Sequence, residues 1–191
     1  MPERPGATPM NDSANLPHKP APIGRGSAGC CLIGRWHREC PVFIRSSTLD
    51  AILDFSAQDL RCERGGFLLG GAYRDTVPYV EIRHFAPARQ TVGAAASMRF
   101  THETWSGLRR DLEQSFPGES VVGWHHTHPD LGVFLSSYDR FIHRNFFSQP
   151  WQAALVVDPC RCELGLFQWI DGKLIDVGFA LIDDPRQRRV G

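Results

Sequence analysis

Large apolar residues are sparse over the first 35 or so positions and then arrive in runs whose spacing changes from segment to segment. CPVFIRSSTLDAILDFSAQDL opens with a short strand at residues 42–44 and passes into a helix capped by Ser46 or Ser47. Leu49, Ile52, Leu53 and Phe55 or Leu60 supply its stripe at roughly helical spacing. RGGFLLGGAY and VPYVEIRHF read as two strands joined by a turn at residues 74–76, the first too apolar to face water on either side. The small-residue connection PARQTVGAAASMRF has no period of its own, and so long a loop inside a compact domain is usually functional or mobile. Thr101 caps the next helix, which buries Trp105, Leu108, Leu112 and Phe116 and ends at Pro117 and Gly118. SVVGWHH is a strand, PDLGVFL a loop, and SSYDRFIHRNFF a helix capped by Ser136 or Ser137. WQAALVVD, CELGLFQWI and KLIDVGFALI finish as strands, with Asp171 and Gly172 in a tight hairpin turn.

Composition sets the limits. Residues 1–37 carry many prolines and too few large apolar groups to offset ordering entropy, so they are expected to be a disordered tail. One ordered domain is expected over residues 38–183, with a frayed end at 184–191 and no internal repeats. Acidic and basic residues balance at 21 each, which argues against nucleic acid or a membrane surface as a partner held by bulk charge. Lys19 and Lys173 are the only lysines; the arginine bias fits a GC-rich genome and points toward a bacterial source. The six cysteines form no CxxC pair, which suits reduced thiols. No stretch approaches the roughly 18 apolar residues of a membrane helix, and the amino terminus lacks the apolar core of a secretory signal. The expected setting is cytoplasmic.

The candidate chemistry lies in GWHHTHPDLGVFLSSYD, residues 123–139. In a strand, residues two apart point the same way, so His126 and His128 share one face while His125 and Thr127 share the other. Ser136 and Asp139, three apart, fall together on the first turn of the following helix. Two imidazoles and one carboxylate are three ligands of types that zinc accepts, leaving the fourth tetrahedral position for water, as in a catalytic site. Such a site also needs a general base that is not a ligand, and Glu63, beside the apolar ERGGFLLG segment, is the candidate. Each residue also has an ordinary role open to it: Thr127 and Pro129 as loop residues, Ser136 as a helix cap, Glu63 as a solvated strand end. Those roles leave their joint spacing unexplained.

These residues resemble the signature of the JAMM metalloprotease family, the catalytic MPN-plus domains: HSHP or HTHP, six residues, then SxxD. Here HTHP spans His126 to Pro129, and Ser136 to Asp139 supply SSYD. The family's upstream segment, a glutamate followed by spaced glycines, is matched by Glu63, Gly66 and Gly70. The resemblance implies an MPN/JAMM domain of the α/β (α+β), cytidine-deaminase-like kind, a central curved mixed β-sheet flanked by helices. It implies zinc held by His126, His128 and Asp139, with Glu63 as general acid and base and Ser136 as donor to the oxyanion. Substrate contacts are expected from Trp124, Phe134 and the connection at Ala94, Ala95, Ala96 and Ser97, which aligns with a segment that clamps a substrate tail. A second large insertion of eukaryotic relatives is missing, so the chain looks like a compact bacterial member.

His125 stands where many relatives have tyrosine and is read as facing outward or into the core, or touching substrate. His143 is a candidate hydrogen-bond partner of Asp139, or a solvated side chain. Cys160 and Cys162 with His143 are either a second metal site or ordinary packing. The resemblance implies a zinc isopeptidase or peptidase acting after the carboxy-terminal glycine of a ubiquitin-like protein, encoded beside activating and conjugating enzymes. The alternatives are cleavage of a sulfur-carrier-protein adduct with release of cysteine, and a non-catalytic scaffold with structural zinc.

Overall fold

The computed structural model describes residues 15–22, 31–88 and 102–183. Nine strands form one mixed sheet, and three helices pack on it. In chain order they are β1 (Cys31–Ile33), β2 (Val42–Arg45), α1 (Ser46–Ala57), β3 (Gly65–Arg74), β4 (Pro78–Pro87), α2 (His102–Gln114), β5 (Ser120–Thr127), α3 (Ser137–Phe146), β6 (Ala153–Asp158), β7 (Glu163–Ile170), β8 (Lys173–Asp176) and β9 (Phe179–Ile182). The strand order is β1-β9-β2-β4-β3-β5-β6-β7-β8. β2 runs parallel to both β4 and β9, and β5 parallel to β6; the other neighbours are antiparallel. This is the α+β architecture with a mixed central sheet that the signature implies.

The central strands are apolar throughout because both faces are covered. Phe67 and Leu69 join one core with Leu108 of α2 and Ile142 of α3, while Leu68 between them joins another with Leu49 and Ile52 of α1. β6 alternates in the same way, Ala154 and Val156 against α2 and α3, Leu155 and Val157 against α1. Gly66 and Gly70 of β3 are small because β4 presses on them. A Cβ on Gly70 would strike the Glu81 carbonyl, and one on Gly66 the Ala86 carbonyl and the Phe85 ring.

Several expectations need correction. The helix cap is Arg45, without a side-chain capping bond, and neither Ser46 nor Ser47. Leu53 and Leu60 are exposed, so the α1 stripe is Leu49, Ile52 and Phe55. KLIDVGFALI is two strands, because Gly178 adopts a left-handed φ of 61° that ends β8 and sends β9 to the opposite half of the sheet. Disorder across 1–37 does not hold for the part described. Cys31–Ile33 pairs with β9, and Pro17 and Lys19 bond to the backbone of Arg74. Tyr79 donates its hydroxyl to the carbonyls of Lys19 and Pro20, so edge hydrogen bonds, together with the packing of Ala21, Ile33 and Trp36 on the core, meet the ordering cost. The rest of the amino-terminal stretch, Thr101 and residues 184–191 lie outside the described residues. The hairpin at Asp171 and Gly172 is as expected, with φ of 47° and 72° joining β7 to β8.

Candidate metal centre

Strand β5 delivers its side chains alternately to the two faces of the sheet. Its pairing with β3 steps from Leu68↔Gly123 to Leu69↔Val121, so Val122 is an extra, bulged residue. The bulge lets Val122 pack on the α1 side while Trp124, two residues on, packs on the α2 and α3 side. His126 and His128 follow Trp124 onto that second side, with ring centroids 4.7 Å apart. His125 goes the other way. It is fully buried, with Nδ1 3.1 Å from the Leu155 carbonyl and Nε2 3.1 Å from Ser56 Oγ. Burial pushes its pKa down to about 3, so it is a neutral core histidine, the core-facing option among those open to it.

The carboxylate comes from α3. Ser136 caps the helix: its Oγ accepts the Asp139 amide at 3.2 Å, and Asp139 Oδ2 accepts the Ser136 amide at 2.7 Å. The capping box therefore fixes Asp139 on the first turn, aimed back at β5. Asp139 Oδ2 lies 3.5 Å from Nε2 of both His126 and His128. One donor atom from each of the three residues lies within 4.8 Å of the others, and all three residues are buried.

The donor set fits a divalent cation. Neither ring nitrogen of buried His126 has a hydrogen-bond partner, an arrangement that is costly unless an ion uses the lone pair. His128 Nδ1 lies 3.3 Å from the Gly132 carbonyl, which sets the tautomer that leaves Nε2 free to ligate. Burial opposes charge on Asp139, yet the two imidazoles and Ser136 hold its carboxyl well below the ordinary carboxylate range. Burial lowers the pKa of His126; at His128 the same desolvation is outweighed by Asp139 and Glu63, which raise it. Cation binding at neutral pH therefore meets an ionised carboxylate and a neutral His126, and at His128 it competes with a proton that Asp139 and Glu63 favour.

Glu63 lies in the turn two residues ahead of β3, with Oε1 3.6 Å from His128 Nε2. It stands beside the cluster from a separate segment of chain. Phe134, 43 % exposed, places its ring 4.7 Å from His128 and forms an apolar wall at the mouth of the site.

Other expectations fail. Trp124 is fully buried and cannot touch substrate; it stacks on His126 with centroids 4.4 Å apart and planes 10° off parallel. His143 is also fully buried, and its Nδ1 accepts the Trp124 indole N–H at 3.1 Å, so its link to the site runs through Trp124 and not Asp139. Burial lowers the pKa of His143 to about 4 and keeps it the neutral acceptor this bond requires. Cys160 and Cys162 are exposed in the turn between β6 and β7, whereas His143 is buried. Among the described residues His126, His128 and Asp139 form the single three-residue cluster suited to a metal. Ala94, Ala95, Ala96 and Ser97 lie outside the described residues.

Sequence reasoning missed Asp158. Fully buried at the end of β6, it accepts backbone N–H groups from Asp130, Gly132, Cys160 and Arg161 at 2.7–3.2 Å, and so holds the loop between His128 and Ser136. An aspartate closing an otherwise apolar strand was its one signal.

Residues 42–149 match the family model JAB1/Mov34/MPN/PAD-1 ubiquitin protease. The chain is 32 % identical over 164 residues to the ubiquitin carboxyl-terminal hydrolase RPN11 of Saccharomyces cerevisiae, covering 83 % of this chain and 52 % of that one. It is 32 % identical over 160 residues to the 26S proteasome regulatory subunit rpn11 of Schizosaccharomyces pombe, covering 78 % and 48 %. A solution structure of a Desulfitobacterium hafniense protein shares the fold, with TM-score 0.60 at 16 % identity, covering 78 % of this chain and 99 % of that one. The chain spans about half the length of the two yeast relatives. With its helix, glycine-bearing strand, histidine strand and aspartate helix in the expected order, the chain belongs to the JAB1/Mov34/MPN/PAD-1 family.

Proposed function

We propose that the chain is a zinc-dependent isopeptidase or peptidase that hydrolyses the bond after the carboxy-terminal glycine of a ubiquitin-like protein. The observation that carries this is the approach of the Glu63 carboxylate to within 3.6 Å of a cluster of two histidines and an aspartate. A purely structural metal site has no use for a second acidic group held beside it and not ligating. Similarity to a protein named as a ubiquitin carboxyl-terminal hydrolase supports the substrate class.

In this reading His126, His128 and Asp139 hold the zinc, which when bound supplies Lewis acidity to the scissile carbonyl and lowers the pKa of water. Glu63 accepts the proton of the attacking water and returns it to the departing amine. The Ser136 hydroxyl keeps its hydrogen after accepting the Asp139 amide, and donates it to the oxyanion, a contact of the kind that supplies about 3–4 kcal/mol. Phe134 lines the approach and favours a slender tail such as one ending in glycine. The protein acts in the cytoplasm of a bacterium, beside activating and conjugating enzymes for its modifier.

The test is incubation of zinc-loaded protein with ubiquitin-like proteins extended past the terminal glycine, sulfur-carrier fusions included, read by intact mass. Cleavage after glycine is expected. Glu63→Gln should lower kcat about a hundredfold or more while one equivalent of zinc stays bound. Undiminished turnover in that variant would overturn the assignment of Glu63, and failure to cleave any fusion at full zinc loading would favour a non-catalytic scaffold.

A further inference from the structure

Glu63 precedes β3 in a turn, and a turn alone does not hold a carboxylate to the tolerance that proton transfer needs. The adjoining residue shows how it is held. Arg64 and Thr127 face each other one step beyond the last β3–β5 pair, Gly65↔His126. Thr127 donates its backbone N–H to the Arg64 carbonyl at 2.8 Å, as in an ordinary antiparallel ladder. The return bond differs: the Arg64 amide donates to Thr127 Oγ1 at 2.9 Å. Thr127 is fully buried and lies between the two metal-binding histidines, on the opposite face of the chain from both. The Arg64 side chain is anchored as well. Its guanidinium lies over the Phe55 ring, 3.9 Å from the centroid, and Nη1 donates to the Phe55 carbonyl and to Gln58 Oε1 at the end of α1.

We propose that the Thr127 hydroxyl is a positioning group that ties the Glu63 turn to the histidine strand, fixing the carboxylate relative to His126, His128 and Asp139 through the Arg64 amide. This rests on the reading of Glu63 as general base. The two histidines and the base come from segments more than sixty residues apart, and this rung is the nearest backbone link between them. The position therefore demands a short side chain with a hydroxyl acceptor. Serine meets the requirement, and threonine adds the β-branch that suits a strand. Valine, of the same shape, does not meet it.

The experiment compares full-length, zinc-loaded Thr127→Val and Thr127→Ser with the parent. Three quantities are read: zinc per chain, hydrogen exchange at the Arg64 amide, and kcat and KM on a ubiquitin-like fusion that the parent cleaves. Thr127→Val should keep one zinc, exchange the Arg64 amide at least tenfold faster, and lose at least tenfold in kcat with KM little changed. Thr127→Ser should restore both exchange and kcat. Thr127→Ala removes the hydroxyl without filling its place and is read identically, so the outcome does not hang on one variant folding. Unchanged Arg64 exchange in the hydroxyl-free variants overturns the proposal whatever the turnover, as does unchanged kcat where Glu63→Gln abolishes it. Retained turnover in Glu63→Gln is the separate failure of the general-base reading.

Discussion

His143 reaches the candidate centre without touching the ligand set. Its Nδ1 holds the indole of Trp124, and that indole lies flat against His126. Replacing His143 with leucine fills the space but strands a buried N–H, so stability should fall by about 1–3 kcal/mol, seen as a lower urea midpoint at unchanged slope. His143→Gln can present a side-chain carbonyl to the same N–H and should recover part of the loss. If the leucine variant matches the parent, the bond carries no weight. Nothing local to the sequence marks this pair. Trp124 precedes two histidines in a stretch that elsewhere reads as site residues, and only its zero exposure shows that it supports a ligand from behind.

Among the elements, β3 shows how a motif's glycines act through packing. The glutamate-to-glycine spacing around Glu63 was legible, but not what the glycines do. Gly70 lies under the Glu81 carbonyl and Gly66 under that of Ala86, so an added methyl pushes β4 away from β3. Gly70→Ala should cost about 1–3 kcal/mol, the usual penalty of overpacking, measured by chemical denaturation. Full stability in that variant would show that β4 yields at no cost. The split of the last strand was invisible for a related reason. KLID and FALI are each good strand sequence, and the single left-handed Gly178 between them does not announce that β9 crosses to pair with β2. Likewise β1, only three residues long, is too short to be recognised until its partner, β9, is known.

For the molecule as a whole, two buried neutral histidines set a direction of pH dependence. Burial lowers the pKa of His125 to about 3 and of His143 to about 4, whereas in the unfolded chain both titrate near the ordinary value of about 6.5. The unfolded state therefore binds more protons as pH falls. Their contribution is fully present above about pH 6.5 and declines below it, by up to about 1.4 kcal/mol per pH unit for each. Urea midpoints of the chelated protein should drop between pH 7.5 and 5.5; midpoints that hold or rise would contradict the neutral assignment. Adding zinc at neutral pH should raise the melting temperature, with about 2.7 kcal/mol gained at a free concentration one hundred times Kd. No gain on adding zinc would contradict the proposed ligand set. No helix among the described residues is long and apolar enough to cross a membrane.

Strand alternation by itself separated His126 and His128 from His125, and helix spacing placed Ser136 with Asp139; both are short-range properties, because side-chain direction in a strand or a first helical turn follows from position along the chain. Glu63 stood out as a carboxylate beside apolar sequence and by its match to the family signature. The tertiary structure decided the rest. It turned Trp124 from a surface candidate into the buried backing of His126, led His143 to Trp124 instead of Asp139, sent β9 across the sheet, and set Thr127 against the Arg64 amide. Those outcomes depend on which distant segment arrives at the other end of a hydrogen bond or against the other face of a ring, and local periodicity carries no information about that partner.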